Sequence, residues 1–267
     1  MEIYGPASKM TNLEKKLQQE IMESIQNLVD PKKIGIAFSG GVDSSLLAKI
    51  ATDLGYDVLL LTIGFDNSHD IKFSQDIAKM LGNRHVVEII STKTFPQIAK
   101  RIRMIIKTDN LSWLENCIAF YYVSVLAKKH GIKKVLTANG IDELFCGYNS
   151  YRETIAQGTK TVAIMMEKKL DNEIKLTKAV NSIASEFGVQ VLQPLLSKEF
   201  IEFAKKIPLD EKIRGPDDLM RKHIIRKLAL LSNVPQESAL KRKKALQYGS
   251  LIHKNVMKIR KTWNKIS

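Results

Sequence analysis

An α/β fold built on a doubly wound parallel sheet is predicted by three features of the 267-residue chain. Short apolar segments alternate with helical periodicity up to about Tyr148, the order expected of βαβ units. Two of those segments run directly into glycine-containing turns, as strands do at the carboxyl edge of such a sheet. Beyond Tyr148 the strand pattern fades and helical spacing continues, which predicts a helical C-terminal part.

The elements follow in order. Thr11-Asn12-Leu13-Glu14 is a capping box that opens a helix to about Leu28, with Leu13, Leu17, Ile21, Ile25 and Leu28 at helical spacing and Asp30-Pro31 as the stop. Ile34–Phe38 reads as a buried strand and Leu46–Ala51 as helix. Val58–Ile63, His85–Ile90 and Lys133–Thr137 give three further strands. Between them, Asp70–Leu81 is a helix with Gly82 as its stop, Thr94–Ile106 a second, and Leu114–His130 a long buried one capped by Gly131. Thr161–Lys169, Ile174–Phe187, Ser197–Lys206, Asp217–Leu231 and Leu251–Ile266 are the helices expected in the C-terminal part.

The first strand ends in Phe38-Ser39-Gly40-Gly41-Val42-Asp43-Ser44-Ser45. Strand, glycine turn and helix start together present free backbone N–H groups to an anion. Gly40 and Gly41 let phosphate oxygens come close, and Ser39, Ser44 and Ser45 add hydroxyls. Asp43 repels phosphate unless a cation stands between them, so the expected ligand is a magnesium-bound polyphosphate. No Gly-Lys-Ser/Thr follows, which excludes the P-loop of kinase-like ATPases. The loop resembles the pyrophosphatase loop (PP-loop) of the adenine nucleotide alpha hydrolase-like enzymes that split ATP into AMP and pyrophosphate. Those include asparagine, GMP and NAD synthetases and several tRNA-modifying thiolases and ligases. On this reading residues 1–30 form a helix packing on the core, 31–150 the nucleotide-binding core, and 151–267 a mainly helical part completing the active site.

Composition narrows the class. Two cysteines, Cys117 and Cys146, cannot make a disulfide framework, and no apolar run reaches membrane-spanning length. The N-terminus lacks the apolar core of a signal peptide, so a cytoplasmic protein is expected. A net charge of +14 admits an RNA partner, but lysines spread over most of the chain favour a solvated basic surface.

The fourth strand runs into Thr137-Ala138-Asn139-Gly140-Ile141-Asp142-Glu143-Leu144-Phe145-Cys146-Gly147-Tyr148. Adjacent carboxylates at a strand end either cap the next helix or share a cation; the position favours the site, with Asp142 near Asp43 across the sheet edge. Near the C-terminus, Lys241-Arg242-Lys243-Lys244 precedes an ordered-looking Gln247-Tyr248-Gly249-Ser250. Together the three stretches resemble the synthetase domain of asparagine synthetase, whose pattern reads S-G-G-x-D-S-S, then S-G-E-G-A-D-E-L-F-G-G-Y, then R-x-K before a Gly-Ser loop. The resemblance covers roughly Ile34 to Ser250, and β-lactam synthetases share this domain.

That resemblance implies the roles. Ser39, Gly40, Gly41, Asp43, Ser44 and Ser45 would hold pyrophosphate and magnesium, and Asp142 would be the second metal ligand. Phe38, Ile63, Thr137 and Ala138 would flank the adenosine, with Gly140 in the same binding set. Lys244 would stabilise the adenylation transition state, with Arg242 beside it in the catalytic set. The implied chemistry is carboxylate attack on the α-phosphate of ATP, then opening of the acyl-adenylate by ammonia or an amine. Four positions depart from the pattern: Asn139 replaces the family's catalytic Glu, Leu192 its Arg, Ser197 its Asp, and Cys146 a Gly. The adenylation half is therefore expected intact and the acceptor half altered. No glutaminase domain precedes the loop, so nitrogen is expected from free ammonia, an amine or a separate glutaminase. A PP-loop enzyme adenylating a tRNA base for sulfur or amine transfer, with a cysteine as thiol carrier, is the alternative; a non-catalytic nucleotide-binding subunit is the third reading.

Overall fold

The computed structural model describes residues 9–30, 33–241 and 246–263. Helix α1 (Asn12–Gln26) opens with the expected capping box, the Thr11 amide donating to Glu14 Oε2 at 2.7 Å. It packs against the helix that follows the first strand, and its Leu17, Ile21 and Ile25 share a core with Ile34 and Ile36. Five parallel strands follow: β1 (Lys33–Ala37), β2 (Asp57–Gly64), β3 (Arg84–Ile89), β4 (Lys134–Leu136) and β5 (Gln190–Leu192). Their order across the sheet is β3-β2-β1-β4-β5. Helix α2 (Val42–Asp53) follows β1, α3 (His69–Leu81) follows β2, and α4 (Phe95–Ile106) and α5 (Leu111–Lys129) join β3 to β4. The C-terminal part holds α6 (Ile141–Leu144), α7 (Ser150–Ile155), α8 (Thr159–Ala184), α9 (Lys198–Lys206), α10 (His223–Leu231), α11 (Gln236–Ala239), α12 (Leu246–Gly249) and α13 (Ile252–Trp263). Among the described residues no helix is long and apolar enough to cross a membrane.

The strand alternation builds a core on each face. Ile34, Ile36, Val58, Leu60 and Leu136 point to one side, against α1, α2 and α10. Leu59, Leu61, Ile63, Val135 and Val191 point to the other, against α4, α5 and α8. Such two-faced burial is what makes the strands read as continuous apolar runs. The chain winds β1-β2-β3 in one direction and then returns to place β4 on the opposite side of β1. The crevice at that reversal lies between the loops after β1 and β4, the general place for a ligand in this class of sheet.

Three expectations need correction. The two helices anticipated at 161–169 and 174–187 are one 26-residue helix, because Leu170, Glu173 and Leu176 continue the buried stripe through the gap. The helix expected from Asp217 starts only at His223, since the Asp218 carboxylate accepts the Arg214, Met220 and Arg221 amides and folds the chain into a turn. Strand β5 was not anticipated; three residues are too few to show a period, and β4 supplies the pairing that makes them a strand. It lies beyond residue 150, so the sheet draws on the segment expected to be helical. Two of the four departures also have plain fold roles: Leu192 is a buried β5 residue, and Ser197 caps α9 by accepting the Phe200 amide at 3.2 Å.

Candidate active site

The loop after β1 is held from both sides. Ser39 and Ser44 hydroxyls meet at 3.4 Å, Gly41 N–H donates to Ser39 Oγ, and Ser44 Oγ donates to the Gly41 carbonyl at 3.2 Å. Gly40 sits at φ 73, where a Cβ would also strike the Phe73 ring at 2.9 Å. Ser238 of α11 donates to the Gly40 carbonyl at 2.7 Å and meets Ser45 Oγ at 2.9 Å. Ser45 is therefore fully buried behind the loop, a brace for it rather than part of the open surface. Gly41 is the N-cap of α2, so the first-turn amides of that helix have no intrahelical acceptor and face the crevice.

The two adjacent carboxylates of α6 divide the expected roles between them. Glu143 caps the helix, its Oε2 accepting the Gly140 amide at 3.1 Å and its Oε1 the Tyr148 hydroxyl. Burial first, and then the charges of Glu173 and Asp142, hold the Glu143 carboxyl well above the usual glutamate range. Asp142 turns instead toward Asp43, as expected. What stands between them is Lys222: its Nζ donates to Asp43 Oδ2 at 2.6 Å and makes an ion-pair contact of 2.6 Å with Asp142 Oδ1 that is not aligned as a hydrogen bond. The other Asp43 oxygen, Oδ1, is buried with no hydrogen-bond partner among the described residues. A carboxylate oxygen in that state fits a cation, so Asp43 would suit a magnesium ion.

Two connected hollows open on this point. The larger, about 530 Å³, runs between the sheet edge and α8. Ala37, Phe38, Leu61, Ile63, Phe120 and Val123 give it an apolar end, and Thr137 and Ala138 lie beside them. Its volume suits a nucleotide-sized ligand. Gly140 does not line it; at φ 104 it packs against the Leu195 carbonyl, 2.6 Å from where a Cβ would be. The smaller hollow, about 50 Å³, lies at the α2 N-terminus between Ser39, Gly41 and Ser44 on one side and Lys222, Arg226 and Lys241 on the other. Arg242 and Lys244 lie outside the described residues. The described stretch after them returns to the site edge: Gly249 leaves no room for a Cβ beside the buried Asp70 carboxylate, and Phe65 N–H donates to the Ser250 carbonyl at 3.1 Å.

Three functional candidates escaped sequence reasoning. Lys222 and Arg226 fall inside the stretch Asp217–Leu231 whose spacing predicts a single helix, and nothing local sets them apart. Glu173 reaches the cavity from α8, where Asn139 Nδ2 donates to its Oε1 while the Asn139 carbonyl accepts from Thr137 Oγ1. A carboxylate thus stands beside the amide that replaces the family's Glu. The only signal was a polar stripe, Lys168, Lys169, Asn172 and Glu173, recurring on one helical face that turns out to line the cavity. The thiols expected of the alternative reading are absent from the site: Cys117 and Cys146 are fully buried, and burial pushes both up to about 12. Among the described residues no three His, Cys, Asp or Glu side chains gather as a metal cluster.

Fold and site together define a doubly wound α/β protein with a glycine loop at its switch point. The asparagine synthase family model matches residues 16–174 and 172–264, and the chain belongs to that family. A provisionally assigned glutamine-hydrolyzing asparagine synthetase of Methanocaldococcus jannaschii is 29% identical over 285 residues, spanning 94% of this chain and 51% of that protein. Asparagine synthetase B (glutamine-hydrolyzing) of Escherichia coli is 25% identical over 225 residues, 79% of this chain and 40% of that protein. The chain thus spans about half or less of these relatives' length. A solved structure of NMN synthetase from Francisella tularensis aligns with a TM-score of 0.48 at 17% identity, covering 90% of this chain and 78% of that one.

Proposed function

We propose that the chain is an ATP-dependent, AMP-forming carbon–nitrogen ligase that adenylates a carboxylate substrate and forms an amide with ammonia or an amine. The observation that carries this reading is the convergence of Asp43 and Asp142 at the α2 N-terminus with Asp43 Oδ1 left buried and without a hydrogen-bond partner among the described residues, an arrangement that suits a cation bridging to phosphate. Magnesium would supply charge neutralisation of the polyphosphate, held at Asp43 with Asp142 as its second carboxylate. The adenosine would lie against Phe38, Ile63, Thr137 and Ala138 at the apolar end of the cavity. Backbone amides of the glycine loop, with Lys222, Arg226 and Lys241, would receive the departing pyrophosphate. The substrate carboxylate would enter along α8, where Lys169 Nζ stands 4.4 Å over the Tyr148 ring. Glu173, fixed by Asn139, places a carboxylate on that wall for the proton an amine sheds as it attacks. The nitrogen source is free ammonia, an amine or a separate glutaminase, and the basic surface is solvating rather than tRNA-binding.

Product analysis tests the reading. Incubation with α-³²P-ATP, magnesium, ammonia and a panel of carboxylates should yield labelled AMP together with unlabelled pyrophosphate. Labelled ADP as the main product would overturn it, and turnover only with bulk tRNA would favour the nucleic-acid reading.

A further inference from the structure

The turn that delivers Lys222 is costly to make. Arg221 and Lys222 both lie in the left-handed region, at φ 49 and φ 53, a conformation that side-chain-bearing residues keep only when their surroundings enforce it. Here the enforcement is dense. Asp218 gathers three amides and His223 Nε2, the Lys222 amide donates to the Lys212 carbonyl at 2.6 Å, and Arg226 Nε donates to the Met220 and Arg221 carbonyls. The outcome is a lysine side chain 1% exposed, with its ammonium between the two site carboxylates. Gly147 packs beside it, so closely that a Cβ there would be 2.4 Å from Lys222 Cε.

We infer that Lys222 is a resident counter-cation that makes divalent metal loading conditional on the nucleotide. The inference rests on the reading of the site as one for magnesium-ATP. Without nucleotide, a divalent ion approaching the pair meets an ammonium already at ion-pair distance from both carboxylates, and like charges there repel strongly. Among the described residues no cluster of three His, Cys, Asp or Glu side chains offsets that repulsion. Phosphate oxygens change the balance. Entering the small hollow that Lys222 also lines, they offer the ammonium a second anionic partner and supply the metal's remaining ligands. Metal therefore arrives with the polyphosphate and not ahead of it. Until then Lys222 holds Asp43 and Asp142 together through its two ion-pair contacts.

The test is Mn²⁺ binding to the full chain, followed by electron paramagnetic resonance and calorimetry, with and without α,β-methylene-ATP. The wild type should show no saturable site until the analogue is added. Lys222→Met should bind Mn²⁺ without nucleotide about tenfold or more tightly than the wild type, since the carboxylate pair has lost its cation. Lys222→Arg, which keeps the charge, should exclude the metal as the wild type does, so that the gain follows the charge; circular dichroism of both variants shows that they fold. Saturable nucleotide-free Mn²⁺ binding by the wild type, equal to that of Lys222→Met, would overturn the inference while leaving the ATP site standing. Failure of the wild type to bind Mn²⁺ even with the analogue would overturn both.

Discussion

Replacing Gly147 by alanine tests how closely the site is drawn together, because the change adds one methyl group and no charge. The added Cβ would sit 1.9 Å from Asp142 Oδ1 and 2.4 Å from Lys222 Cε. Real carbon contacts need some 3 Å, so both side chains must retreat by roughly 1 Å, and misplacement on that scale costs catalysis on the order of a hundredfold. Gly147 has no positive φ, so backbone strain adds nothing and the effect is steric alone. The assay is pyrophosphate release under saturating ATP and magnesium, with circular dichroism to show that the α/β fold persists. We expect turnover reduced about a hundredfold in a folded protein. A folded Gly147→Ala variant with wild-type turnover would refute the placement of Asp142 and Lys222 in the working site.

Further outcomes follow from other residues. Asp43→Asn should abolish magnesium-dependent ATP cleavage in a protein that still folds but melts below the wild type, since the buried Lys222 ammonium loses one of its two carboxylate partners; unchanged cleavage would remove Asp43 from the site. Lys244→Ala should lower kcat by about two to three orders of magnitude with little change in ATP affinity, as for a group that meets charge only in the transition state; an equal effect from Lys243→Ala would point to a diffuse basic patch instead. Burial holds the His85 imidazole down at about 4, with Thr62 Oγ1 at 2.8 Å. The unfolded chain takes up its proton near pH 6.5 and the folded chain does not, so the stability His85 contributes is present above 6.5 and lost as pH falls toward 4. Urea midpoints between pH 7 and pH 4.5 should fall less steeply for His85→Gln than for the wild type, and parallel slopes would contradict this.

The first half of the fold was legible because its signals are local. Runs such as Val58–Ile63 are apolar on both faces, and that requires burial under helices on both sides of a parallel sheet. Gly82 and Gly131 stopped their helices through φ values of 72 and 68 that a glycine adopts without strain. The glycine loop was legible too, since strand, turn and helix start are contiguous and Asp43 among phosphate-accepting groups has one sensible partner, a cation. Family membership, with Asp43 and Asp142 at one point, followed from motif order along the chain. Tertiary structure alone decided the rest, and the reason is sequence distance. Strand β5 exists because β4 pairs with it. Ser45 became a brace because Ser238, 193 residues away, meets it behind the loop. Glu173 reached the site because a helix 26 residues long carried it beside Asn139. Lys222 is the clearest case: nothing local marks it, and only the turn built by Asp218, Lys212 and Arg226 sets its ammonium between carboxylates from two different strand ends.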